Sequence, residues 1–240
     1  GMFRVIKGAT IKNLRLEHVA VTGSKRVGAV VGWSQVELDT QEMGGSIAGL
    51  VGNVQVTGSV NGREQTGGVI GVNDGAYDED TGFSAASSVD RCSFEGDVNG
   101  SAKVGGLAGQ NDGAITSSSV KGTVDAGTDG TITGGLVGEN YGDIYDSFAD
   151  AKVTAHGTVG GFAGNAGGSI TRCYSLGDVY GADYVGGFAG RISYVDTAVS
   201  AGRVYISGKQ EQGYVGGFTG NLGGTIVGAS AYITVKNVYG

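Results

Sequence analysis

Apolar residues recur along this chain at fixed offsets inside a repeating unit, with neither helical spacing nor long unbroken runs. The string Val104-Gly105-Gly106-Leu107-Ala108-Gly109 returns at 133–138, 159–164, 185–190 and 215–220, and in weaker form at 27–32 and 66–71. The first glycines, Gly28, Gly67, Gly105, Gly134, Gly160, Gly186 and Gly216, are spaced 39, 38, 29, 26, 26 and 30 residues apart, so the basic unit is near 26 residues. A second anchor recurs as Ile11, Val51, Val89, Ile115, Ile144, Ile170, Val195 and Ile226, and from Val51 on each follows a glycine string. Three residues after it stand Leu14, Val54, Cys92, Ser118, Ser147, Cys173, Ala198 and Ala229. Nine residues after it, from the second unit on, stand Val60, Val98, Val124, Val153, Val179, Val204 and Val235.

Fixed apolar or small positions at fixed offsets predict side chains that point inward and stack from one coil to the next. Each unit holds about three short strands, too few to bury its own apolar face, so it needs neighbours above and below. The predicted fold is all-β: a parallel β-solenoid (β-helix) of about seven to eight coils with three short strands per coil. It fills residues 1–240 as one domain, with insertions at 33–46 and 73–86 where the first two units lengthen. The stretches Asn111-Asp112-Gly113, Asn140-Tyr141-Gly142 and Asn221-Leu222-Gly223-Gly224 are expected at sharp corners with positive φ.

Charges agree with this alignment. Six residues after the anchor the column reads Glu95, Lys121, Asp150, and eight after it reads Asp97, Thr123, Lys152, Asp178, Arg203. Opposite signs on adjacent rungs roughly 4.8 Å apart favour the register, with weak bridges expected between them.

Composition narrows the alternatives. The chain has 50 Gly and no Pro among 240 residues. Collagen is excluded because no strict Gly-X-Y period exists, and 40% apolar residues argue against a disordered linker. The missing Pro suits a ladder in which each backbone N–H bonds to the next coil. No stretch approaches the roughly 18 apolar residues of a membrane helix. A pI near 4.8 gives no electrostatic case for nucleic acid.

The combination Val-Gly-Gly-Phe/Leu-Ala/Val-Gly, then Asn-x-Gly, then Ile-x-x-Ser/Cys-Tyr/Phe resembles the GLUG-motif repeat of bacterial surface proteins. The match is clearest over 104–230 and degenerate before residue 75. The resemblance implies a non-catalytic structural or adhesive module of a secreted or cell-surface bacterial protein, with flanking domains in the same larger protein. Similar repeats precede the catalytic domain of zinc IgA1 proteases, so a protease spacer is an alternative. A β-helix carbohydrate-active enzyme is another, and acids or bases clustered in a groove would favour it.

Candidate chemistry is sparse. Cys92 and Cys173 share one offset three coils apart, about 14 Å, beyond the roughly 7 Å reach of a disulfide, so both are expected as free buried thiols. Two His, two Cys and no HExxH give no zinc site, and the glycine strings lack the Lys-Ser/Thr ending of a phosphate loop. No cofactor is implied. The insertions are the exception. Residues 33–46 carry Glu37, Asp39 and Glu42, residues 73–86 carry Asp74, Asp78, Glu79 and Asp80, and neither holds a Lys or Arg. These seven acids equal the whole net charge of −7. Both insertions follow the glycine string of successive units, so they should emerge at one corner and, with Trp33, Tyr77 and Phe83, form an acidic, partly aromatic flank. The candidate ligands there are calcium, a basic partner, or a host or surface glycan or protein; the alternative is a solvated acidic loop that covers the coil edge and binds nothing.

Overall fold

The structure is a computed structural model that describes residues 1–39, 45–77, 84–206 and 213–237. Among these residues there is no helix, and all pairings between coils are parallel; only two small hairpins are antiparallel. The chain winds as a β-solenoid of about seven turns.

The anchor column is continuous. Ile11, Val51, Val89, Ile115, Ile144, Ile170, Val195 and Ile226 pair each with the next, and all between Val51 and Val195 are fully buried. The later valine column, Val60 through Val235, is equally continuous. In the first coil Val21 joins this column ten residues after its anchor. A bulge between Leu16 and Val19 adds one residue there, with His18 at φ 53°. A parallel ladder buries both inner strand faces only because every coil repeats the same inward set, so the apolar columns and the backbone bonds enforce one register.

A separate seven-stranded sheet is built by the first residues of each glycine string, from Lys25–Val27 to Tyr214–Gly216. The glycines are required by close approach: a Cβ on Gly106 would lie 2.3 Å from the carbonyl oxygen of Gly135 and 2.4 Å from Val120 Cγ1. Two interior columns change size in opposite directions along the axis. After the second glycine, Val30, Val69, Leu107, Leu136, Phe162 and Phe188 follow one another, and the last two rings stack at 4.9 Å. Five residues after the anchor, from the third anchor on, Phe94 gives way to Val120, Ala149, Ser175 and Ser200. Growth on one side offsets shrinkage on the other, as a close-packed cross-section of constant size demands.

The corners differ from the expectation. Asn111 and Asn140 do not adopt positive φ, nor does Asn221. Left-handed backbone falls instead two residues after the anchor, at Asn13, Asn53, Arg91, Ser117, Asp146, Arg172 and Thr197, each with φ between 49° and 58°, and at Gly228. This kink splits the anchor strand, so the coil that begins at Ala102 shows four strand segments, Ala102–Gly105, Ala108–Asn111, Ala114–Thr116 and Ser119–Gly127. A left-handed non-glycine residue costs roughly 1–2 kcal/mol, and where the next residue is Cys or Ser its side chain bonds the backbone around the kink. Ser118 Oγ donates to the Thr116 carbonyl at 2.8 Å and accepts from the Cys92 N–H at 3.1 Å; Ser147 Oγ does the same with Tyr145 and Ser118. Ser118 and Ser147 thus supply acceptors for the Cys92 and Ser118 N–H groups, while the Thr116 and Tyr145 carbonyls also keep backbone partners on the neighbouring coil.

The Asn of the Asn-x-Gly stretch points inward because it has work to do there. Asn73 Nδ2 donates to Asn111 Oδ1 and Asn111 Nδ2 to Asn140 Oδ1, both at 2.7 Å, and all three side chains are fully buried. Each amide also reaches a nearby turn carbonyl, Ser87 and Ala114 for Asn73, Gly113 for Asn111 and Gly142 for Asn140.

Candidate functional site

Both insertions leave the coil as antiparallel hairpins. Glu37–Asp39 pairs with Gly45–Ile47, and Gly75–Tyr77 pairs with Ser84–Ala86. They begin at equivalent points, since Trp33 pairs with Val72 and Ser34 with Asn73. The strand Ser84–Ala86 lies against Glu37–Asp39, so the hairpins are neighbours.

Asp74 joins them. Its Oδ2 accepts from Trp33 Nε1 at 3.3 Å and from the Val36 N–H at 3.4 Å, and its own N–H donates to the Ser34 carbonyl. The Arg26 guanidinium lies 4.0 Å from the Trp33 ring centroid, so this indole is held between a cation and a carboxylate. Of the sequence-predicted flank, Trp33 and Asp74 are therefore brought into contact. Glu37, Asp39 and Tyr77 lie on the hairpin strands. Glu42, Asp78, Glu79, Asp80 and Phe83 lie outside the described residues.

Sequence reasoning missed the polar network that continues this flank along the axis. Lys103 Nζ pairs with Glu139 Oε2 at 2.6 Å and donates to Gln110 Oε1 at 3.1 Å. Gln110 Nε2 in turn donates to both oxygens of Asp112, and Tyr141 donates to Glu139 Oε1 at 2.8 Å. Burial raises the Asp112 carboxyl above its ordinary range, against the Gln110 hydrogen bond, and the charges of Asp74 and Glu139 push the same way. The clue in the sequence was the position one residue before each inward Asn, where Gln110 and Glu139 stand on adjacent rungs.

The charge columns keep their register, with Glu95 paired to Lys121 and Lys121 to Asp150. The bridges expected between them do not close: among the described residues these three enter no ion pair. Thr123 donates instead to Asp97, and the Arg203 N–H to Asp178. Cross-rung ion pairs form elsewhere, at Lys25–Glu64 and Arg172–Asp146. Cys92 and Cys173 are free and buried, and desolvation pushes their thiols up to about 11 and about 12. No group of three His, Cys, Asp or Glu side chains among the described residues is placed to hold a metal ion.

Residues 100–125, 129–154 and 155–180 are GLUG repeats, each matching the model of the GLUG motif. The backbone carries the same columns beyond them in both directions. No curated protein matches the chain. A solved structure similar to it is that of a putative immunoglobulin A1 protease from Bacteroides ovatus, with a TM-score of 0.49 and 20% identity. The alignment covers 75% of this chain and 60% of the other, so this chain spans less than two thirds of that protein's length.

Proposed function

We propose that the chain is a non-catalytic adhesive or spacing segment of a secreted or cell-surface bacterial protein, and that the hairpin flank at 33–46 and 73–86 meets its partner. The observation that carries this reading is the contact of Asp74 with Trp33 and Val36. The repeat alone specifies the coil, whereas two consecutive units spend extra residues on hairpins locked to one another, and loops held by a rigid scaffold commonly carry recognition. The acidic composition of both hairpins favours a cationic partner: a basic protein surface, or calcium held with the help of residues 78–80.

The test replaces Glu37, Asp39, Asp78, Glu79 and Asp80 by Asn or Gln. The variant should melt close to the parent but lose a calcium-induced thermal shift or its capture by a cationic protein surface. Identical behaviour of variant and parent in both assays would remove this flank as the site. Turnover of polysaccharides by the purified chain would overturn the non-catalytic reading.

A further inference from the structure

Away from the hairpins, the outward column four residues after the anchor reads Gln55, Ser93, Ser119, Phe148 and Tyr174 on successive paired rungs. Phe148 and Tyr174 stack with parallel rings 4.9 Å apart. One ring face of Phe148 is thus covered by Tyr174. On the other side the next two rungs carry only serine, and a cavity of about 310 Å³ opens there, lined by Gln55, Ser93, Glu95, Ser119, Lys121 and Phe148. From Gln55 to Phe148 is three rungs, ~14 Å at the strand spacing.

We propose that this trough binds a pyranose ring of a neutral glycan, stacked on the open face of Phe148. The apolar face of a sugar ring packs on an aromatic face while its equatorial hydroxyls need hydrogen-bond partners around the rim, and an aromatic floor with a few convergent polar groups is how such sites are built. The rim here supplies them: Glu95 as acceptor, Lys121 as donor, and the Ser93, Ser119 and Gln55 side chains as both. Glu95 and Lys121 sit on adjacent rungs without pairing to each other, so both remain available. Arg15 also lines the trough, but Glu17 pairs with it at 2.7 Å, so the charges around the site balance and favour a neutral sugar over an acidic or basic one. This site is separate from the hairpin flank and does not depend on it.

The experiment exposes the purified chain to an array of neutral and acidic oligosaccharides and measures the best ligand by calorimetry. Ser119→Tyr should extend the ring ladder into the trough, keep the parent melting temperature and abolish binding. Phe148→Ala, which needs no new packing, should weaken binding roughly tenfold through loss of the stacking face. The variant with five flank acids replaced should bind as the parent does, so failure of one site is distinguishable from failure of the other. Absence of binding to every arrayed neutral sugar would overturn the proposal. So would unchanged affinity in both trough variants, or occupation of the trough by an aromatic peptide alone.

Discussion

Asn111 Nδ2 lies 2.7 Å from Oδ1 of Asn140, on the next rung and fully inside the coil. The same Asn111 accepts from Asn73 and donates to the Gly113 carbonyl, so one side chain satisfies three polar groups that water cannot reach. Asn111→Leu should therefore cost about 1–3 kcal/mol, since it leaves Asn140 Oδ1 unpaired, whereas the Gly113 carbonyl keeps the Asp143 N–H. Asn111→Asp at neutral pH should cost at least as much, because it replaces the donor with a buried charge. Chemical denaturation of both variants checks this, and a midpoint shift near zero would place the residue on the surface.

Ser147 heals the kink at Asp146, bonding both the Tyr145 carbonyl and the Ser118 N–H. Ser147→Ala should destabilise by about 1–3 kcal/mol by stranding the Ser118 N–H, while the Tyr145 carbonyl keeps the Ser117 N–H. Ser147→Cys should cost less, because Cys already fills the equivalent place at residues 92 and 173. Ser147→Phe should cost 1–3 kcal/mol or more by overpacking. Melting curves for the three variants test the order Cys, then Ala, then Phe.

The thiols give a pH signature. Burial raises Cys92 to about 11 and Cys173 to about 12 from an ordinary 9.0. Below pH 9 both are neutral whether the chain is folded or not, so their contribution is fully present. Above it the unfolded chain releases the protons first, and stability falls progressively as pH climbs through the two folded values. A Cys92→Ser, Cys173→Ser variant should lose less stability between pH 9 and 11 than the parent. Native thiol titration at pH 8 should find both groups slow to react, and rapid modification would contradict their burial.

The columns were legible because stacking demands the same residue class at the same offset, and periodicity is all that Ile115, Ile144 and Ile170 need to reveal. The insertions were legible as breaks in that period. Backbone geometry was not: Arg172 and Thr197 occupy left-handed positions that their own chemistry disfavours, and no local signal marks them. Asn111 was misplaced for a related reason. Asn-x-Gly is common turn chemistry, and nothing local distinguishes an Asn that bends the chain from one whose amide ladders with its copies. The Lys103–Glu139 pair joins residues in different units, so spacing within one repeat gave no sign of it.

The register of the stack underlies every site described, and a distance along the axis tests it most directly. Ser59 and Arg203 occupy the same outward offset five rungs apart, so nitroxide labels there, in a background with Cys92 and Cys173 replaced by Ser, report the rise of the coil. Pulsed electron resonance should give one narrow distribution centred about 24 Å, the product of five rungs and the strand spacing. A broad distribution, or one centred beyond roughly 35 Å where five rungs at that spacing cannot reach, would contradict the solenoid register.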